Sequence, residues 1–464
     1  MGVPMGQSKA SAKPSRFCRM WLMLKAVGIS RGTKGALGCF FSVPCPPSPS
    51  HATAPNKVVL SAPLCASRPP IRSARRSSRL NSKPSGRPPI EVEGRGRWIE
   101  ANRPTRSTKT SSPRLVIAAP VAREMSRRII QSVFGDVLAD IGAQFCRTLR
   151  GTEREIESTH LQRLFDHCMG NGKFARSCLA LDTFRALRPD ADERTLQSAA
   201  KVSTSLEFLQ SFFLIMDDVT DGSEMRRGKP CWYRVPNVGL TAINHGLQLD
   251  LAATEVIRRE MHAHPKKYAL LDEMHTTKMI TVTGQNLDCR TKGLEDCTWE
   301  RYDQLVQHKT AHYSYTLPIR MGFHLADRTG YEALTRLTYD IGHLFQAQDD
   351  YLDCFGDVAV TGKNSTDLAD GKCTWFSCAA MEMIRTDDVP ATIADRFTDN
   401  FGRPGTANVR EALGAMHDLR LLERFRQFER EQVGSLRRAV DRVEPAEIRP
   451  VLEEVVRKLE GRKS

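Results

Sequence analysis

Two short stretches place carboxylates where a helix has little reason to carry them. In "FFLIMDDVTDGSEMRRG", residues 212–228, an apolar run is followed by Asp217, Asp218 and Asp221. Leu209, Phe213, Asp217 and Asp221 follow one another at i+4, so they share one helix face. No Lys or Arg lies between Leu206 and Asp221 to neutralise that line. The carboxylates also fall toward the helix C-terminus, where the macrodipole disfavours negative charge. Asp217 and Asp221 stand about 6 Å apart along the axis at 1.5 Å rise per residue, a spacing suited to gripping hard cations from one side.

The arrangement recurs in "LTYDIGHLFQAQDDYLDCFGD", residues 337–357. Leu337, Ile341, Phe345, Asp349 and Asp353 again follow at i+4, with Asp350 beside them. A single DDxxD is more often a solvated helix end. Two copies, each ending an apolar helix line, are hard to call accidental, and if they face each other six carboxylates surround one cavity. Like charges at that density need Mg²⁺ or a comparable hard ion. Mg²⁺ usually shares itself with substrate phosphates, so the pair points to a diphosphate above an apolar, helix-walled pocket.

A diphosphate also needs fixed donors. Arg226 and Arg227 follow the first acidic motif, and Lys363 and Lys372 follow the second. "NGKFARS" supplies Lys173 and Arg176, "QHKTAHYS" supplies Lys309 and Thr310, and the C-terminus supplies Arg462 and Lys463. Each alone is more often a solvated surface charge. Distributed around two acidic motifs, they favour two anion pockets over one. No Ser/His/Asp or Cys/His constellation accompanies them.

The elements that must position these residues begin late in the chain. Residues 1–126 carry 22 Lys and Arg against 4 Asp and Glu, whereas 127–464 carry 46 against 50. The overall charge of +14 on 464 residues therefore belongs to the N-terminal segment. That segment also holds 16 of the 25 prolines and has too few periodic apolar positions for a core. Residues 1–125 read as a disordered extension or an organelle transit peptide, which would make the location mitochondrial, with the cytoplasm as the alternative. No nucleic-acid recognition module accompanies the basic tail. No run of 18 apolar residues offers a transmembrane helix. The 13 cysteines show no CxxC pair and read as thiols, not a disulfide framework.

From about Ser126 the apolar residues recur with the helical period. Helices are expected over 127–150, 157–187, 192–221, 239–262, 267–289, 298–323, 328–355, 371–384, 389–399, 408–432 and 446–460. Strand signals are essentially absent. The fold class is all-α, with one catalytic domain over 126–464 that is larger than a four-helix bundle.

The chain from about 127 to 464 resembles the trans-isoprenyl diphosphate synthases. The resemblance rests on "LQSFFLIMDDVTDGSEMRRGKPCWYRVPNVGLTAIN", "GQNLD", "HKTAHYSYTLP", "FQAQDDYLDCFGD" and "TGKNSTDLADGKCTW". It implies a barrel of antiparallel helices around a deep cavity, usually a homodimer. It implies that Asp217, Asp221 and Asp349, within the two motifs completed by Asp218, Asp350 and Asp353, hold three Mg²⁺ ions on an allylic diphosphate. Arg226, Lys309 and Lys363 would complete that cradle, with Gln285, Asp288 and Asp367 at its rim and Lys372 among the donors. Isopentenyl diphosphate would occupy a second pocket of Lys173, Arg176, Gln210 and Arg227, with Arg462 closing over it. Thr310, Gln346 and the Lys309 carbonyl would face the allylic cation. Phe212 and Phe213, one turn before Asp217, would floor the pocket and stop growth at farnesyl diphosphate.

The pattern departs from the family in places. Around Lys173 the family usually reads GGK-x-x-RG, whereas Ala175 and Ser177 stand here in place of residues often Asn and Gly. His312 stands where an aromatic is common. A weakened second pocket would leave a terpene synthase, which ionises a prenyl diphosphate without isopentenyl diphosphate. A more distant alternative is a non-catalytic partner subunit, against which the intact aspartates argue.

Overall fold

A computed structural model describes residues 119–464 apart from 171, 357–365, 387–388, 461 and 463–464. The expectations for residues 1–118, Lys363 and Lys463 lie outside the described residues. Helices dominate: α1 (Ala119–Phe145), α2 (Gly151–Cys168), α3 (Ala175–Leu187), α4 (Glu193–Ser203), α5 (Ser205–Asp221), α6 (Ala242–Glu260), α7 (Lys267–Arg290) and α8 (Trp299–Leu305). A π-helical segment, Val306–Thr316, then runs directly into α9 (Leu317–Leu325). After it come α10 (Thr335–Phe355), α11 (Thr366–Ala369), α12 (Trp375–Thr386), α13 (Ala391–Thr398), α14 (Thr406–Asp418), α15 (Leu421–Val440) and α16 (Arg449–Leu459). The fold is all-α, as the periodicity predicts.

The boundaries differ from expectation for identifiable reasons. The helix expected over 157–187 breaks between Cys168 and Ala175, where Phe174 takes a left-handed conformation (φ 51°). That break exposes the loop carrying Lys173. The helix expected over 192–221 divides at Thr204, where the Ser203 and Thr204 hydroxyls bond to the carbonyls of Ala199 and Lys201. The helix expected over 408–432 breaks at Arg420 (φ 54°) and continues to Val440. A small hairpin, β1 (Met225–Arg226) with β2 (Lys229–Pro230), follows the first acidic motif. Arg227 (φ 52°) and Gly228 (φ 75°) form its turn, with the positive φ at both central residues that a tight hairpin requires.

Two apolar clusters carry the core. The larger joins α1–α7, α9, the start of α10, the second half of α15 and α16. The smaller packs Tyr302, Trp375, Phe376, Phe397 and Phe425 around the end of α10. The π segment lies between α7 and α10 and packs closely on both. Two glycines permit this: a Cβ on Gly284 would stand 2.4 Å from the Lys309 nitrogen, and one on Gly342 would stand 2.3 Å from the Ala311 Cβ. Among the described residues no helix is long and apolar enough to cross a membrane. The described cysteines are free thiols.

Candidate active site

The last turn of α5 meets cations from three other elements. Asp217 accepts hydrogen bonds from Lys309 Nζ (3.0 Å) and Gln285 Nε2 (3.1 Å) on one oxygen. Its other oxygen accepts from Arg226 Nη2 at 3.1 Å. Asp221 accepts from Lys372 Nζ at 2.7 Å, and Asp288 of α7 accepts from Lys309 at 2.6 Å. Gly222, in the left-handed region, ends α5 right after Asp221 and lets the hairpin fold back with Arg226.

Charge pairing sets the protonation states. Burial works to raise the Asp217 carboxyl, but the Lys309 and Arg226 charges outweigh it and hold it at about 2. Burial likewise opposes the charge on Lys309, yet Asp217 and Asp288 raise its pKa above the ordinary lysine value. Lys372 is raised by Asp367 and Asp221 in the same way. One carboxylate oxygen each from Asp217, Asp221 and Asp288 falls within 4.8 Å of the others. A compact all-oxygen set of this kind fits Mg²⁺.

The expected ring of six carboxylates does not form. Asp218 is buried against Arg226, whose Nε and Nη2 reach it at 2.8 and 2.6 Å, and it shares that Nη2 with Asp217. Arg226 thus pairs with both leading aspartates of the first motif. Asp350 points into the smaller core, where it accepts from the Tyr302 hydroxyl (2.7 Å), the Trp375 amide (2.8 Å) and Gln346 (2.9 Å). Burial raises its carboxyl to about 7. Consecutive helix residues differ by about 100° in direction, so Asp218 and Asp350 cannot share the face of their neighbours. Asp353 is buried and accepts from the Asp367 amide at the start of α11 (3.2 Å). Asp349 pairs with Arg462 at 3.1 Å. Arg462 also donates to the Phe345 carbonyl and stacks on the Phe345 ring, 4.2 Å from its centre. Arg462 therefore stands on the second acidic motif, not over the basic pocket.

The two motifs are nevertheless joined. Lys372 reaches Asp221 at 2.7 Å and Asp367 at 3.7 Å, while the Asp367 amide bonds to Asp353. The Thr310 hydroxyl, in the π segment, donates to Gln346 Oε1 at 2.8 Å, and Gln346 Nε2 donates to Asp350. This fixes the Gln346 amide, and among the described residues no donor reaches the Thr310 oxygen. π-Helical turns recur at functional sites, and this one carries both Lys309 and Thr310.

The basic residues are organised differently. Arg176 lies in the first turn of α3 and donates to the Tyr313 hydroxyl (2.9 Å) and the Ser314 hydroxyl (2.7 Å). Its guanidinium also lies 4.5 Å from the centre of the Tyr313 ring. Among the described residues neither Arg176 nor Arg227 forms an ion pair. Arg227 also borders a shallow cleft, with Ser211, Leu214, Arg226, Lys229 and Trp232. Gln210 is half-buried on α5 next to Ser211. Lys173 sits in the loop before α3. Sequence reasoning missed Tyr302, Tyr313 and Ser314, which hold Asp350 and Arg176 in place, and Glu207, which accepts from Ser177 beside Arg176. Glu207 had a visible signal, as a carboxylate within the apolar first turns of α5.

Phe213 lies one turn before Asp217, with its ring centre 5.0 Å from Phe212 and 5.4 Å from Tyr313. Phe212 is buried and Phe213 half-buried. His312 of the π segment bonds to the Tyr339 hydroxyl at 2.9 Å, and burial lowers its pKa to about 4.

A sequence profile described as polyprenyl synthetase matches residues 158–404. The chain belongs to the polyprenyl synthetase family. Farnesyl pyrophosphate synthase of Zea mays is 32% identical over 342 residues, covering 72% of this chain and 94% of that protein. The enzyme of Schizosaccharomyces pombe is 32% identical over 300 residues, covering 62% and 84%. A relative described as mitochondrial, from Arabidopsis thaliana, is 30% identical over 308 residues, covering 64% and 79%. Farnesyl diphosphate synthase of T. brucei has a similar structure, with a TM-score of 0.66 and 23% identity over 72% of this chain and 99% of that one. The polyprenyl synthetase assignment makes the fold of the isoprenoid-synthase type.

Proposed function

We propose that this prenyltransferase condenses isopentenyl diphosphate with dimethylallyl and geranyl diphosphates to give farnesyl diphosphate, with geranyl diphosphate as the shorter product. The observation that carries the reading is the division of the site. One side is a cluster of Asp217, Asp221 and Asp288 linked through Lys372 to the second motif. The other side presents Arg176 and Arg227 without ion-pair partners among the described residues. The first side suits a metal-bound diphosphate, and the second suits a diphosphate bound directly.

Asp217, Asp221, Asp288 and Asp349 would hold Mg²⁺, three ions in all, which when bound neutralise charge on the departing diphosphate. Lys309, Arg226 and Lys372 stand beside those carboxylates and donate to the same diphosphate. Thr310 and Gln346 turn oxygen lone pairs, not a nucleophile, toward the allylic cation. Arg176 and Arg227, with Lys173 and Gln210, hold isopentenyl diphosphate so that its double bond attacks head-to-tail. The proton lost afterwards passes to the released diphosphate. Phe213 and Phe212 set the depth below the acidic side.

A homodimer is supported by exposed apolar residues on two packed helices, Leu247 and Leu251 of α6 with Met279 and Val282 of α7. Sedimentation at micromolar concentration should give a dimer that Leu251→Arg dissociates. A mitochondrial location, suggested by the basic N-terminal segment, is read by imaging a fusion of residues 1–125 to a fluorescent protein. We assign the catalytic domain to residues 126–464.

The function is tested by incubating the protein with geranyl diphosphate and Mg²⁺, with and without isopentenyl diphosphate. Farnesyl diphosphate only with both substrates supports the synthase. A hydrocarbon or alcohol from geranyl diphosphate alone replaces it with the lyase.

A further inference from the structure

We propose that Glu207 is a positioning residue whose buried charge sets how tightly the pocket of Lys173, Arg176 and Arg227 holds a diphosphate; this deepens, and rests on, the reading of that pocket given above. Glu207 lies in the first turn of α5 and is 6% exposed. One of its oxygens accepts from the Ser177 hydroxyl at 2.7 Å. The other faces the Gly172 backbone, where a Cβ would stand 3.2 Å away. The carboxylate therefore lies beneath the loop that carries Lys173 and the helix start that carries Arg176.

Its relation to the arginines is through the field, not through contact. No hydrogen bond joins Glu207 to Arg176 or Arg227 among the described residues. Arg176 is held by the Tyr313 and Ser314 hydroxyls instead. Desolvation lowers the pKa of Arg227; Glu207 opposes this, while the Arg176 and Arg226 charges add to it. Burial leaves the Glu207 carboxyl raised on balance, with the Ser177 hydrogen bond and the fields of Arg176 and Arg227 opposing that rise. Charges buried together interact strongly because little water screens them. Glu207 thus offsets the repulsion between two arginines in the empty pocket without capping their donors. The same charge repels an arriving diphosphate and limits how firmly it stays.

Ser177 takes part in this device through the proton it donates to Glu207. The donated proton favours the ionised carboxylate.

Glu207→Gln separates charge from shape. Glutamine keeps the volume and can still accept from Ser177, and the hydroxyls that hold Arg176 are untouched. Inorganic pyrophosphate is titrated calorimetrically into the full-length protein with EDTA present, so that no metal recruits the anion to the aspartates. The variant should bind it at least about fivefold more tightly than wild type. The KM for isopentenyl diphosphate should fall in parallel, with the KM for geranyl diphosphate unchanged. Ser177→Ala should move both values the same way by less, because losing the donor favours the neutral carboxyl. Unchanged or weaker pyrophosphate binding in the folded variants overturns the proposal, and a lowered melting temperature with unchanged affinity marks a carboxylate that only supports the fold. The titration needs no turnover, so it decides this point even if wild type fails to elongate with isopentenyl diphosphate, an outcome that would count against the proposed function alone.

Discussion

The acidic and basic halves of the site solve the same problem in opposite ways. On the acidic side three aspartates of the two motifs already touch a protein cation: Asp217 meets Lys309 and Arg226, Asp221 meets Lys372, and Asp349 meets Arg462. On the basic side Arg176 is held by neutral hydroxyls, and among the described residues no hydrogen bond joins it to the Glu207 carboxylate. The difference follows from what each half awaits. Carboxylates that await a metal must be neutralised by something meanwhile, and lysine and arginine can let go. Arginines that await a diphosphate must keep their donors open.

The largest expected effect comes from breaking the acidic side. Asp217→Asn should lower kcat by about a thousandfold, read from farnesyl diphosphate formation. Asp350→Asn should leave kcat within about tenfold and instead lower stability by about 1–3 kcal/mol in urea melts, because its partners are Tyr302 and Trp375. Equal losses of activity in the two variants would return Asp350 to the metal site.

This pair also marks what the sequence makes legible. The i+4 lines ending in Asp217, Asp221 and Asp349 are visible because helical period is a property of local spacing. The direction of Asp350 is not, since it depends on Tyr302 and Trp375, which lie 48 and 25 residues away. The π segment is hidden for a similar reason. Its widened turn is held by Gly284 and Gly342 on helices that only tertiary packing brings alongside. The hairpin under Arg226 and Arg227 was missed because strands of two residues carry no alternation. Helical period marks the helix interiors, but not the breaks at Phe174 and Arg420, both non-glycine residues at positive φ.

Removing the Phe213 ring should lengthen the product without moving the boundary between the halves. Phe213→Ala should shift part of the product from fifteen to twenty carbons on chromatography, since the ring sits one turn below Asp217. Unchanged product length would leave Phe213 as a core residue packed on Tyr313.

The smallest effect concerns the scaffold beneath both halves. Burial lowers the pKa of His245, His312 and His324 to about 4 each. A lowered pKa means the folded state binds the proton less tightly than the unfolded chain. Stability is therefore full above the ordinary histidine value of about 6.5 and is lost as pH falls toward 4. Urea melts between pH 7 and pH 4.5 should show this decline, and His312→Phe should make it shallower.

Arg226 and Arg227 are neighbours on one hairpin, and the account assigns them to different substrates. Steady-state kinetics of Arg226→Gln and Arg227→Gln, with each substrate varied in turn, tests that division most directly. Arg227→Gln should raise the KM for isopentenyl diphosphate by about tenfold or more and leave that for geranyl diphosphate near wild type. Arg226→Gln should impair the use of geranyl diphosphate and leave the KM for isopentenyl diphosphate near wild type. If both variants impair the same substrate, the site is not divided between an acidic and a basic half.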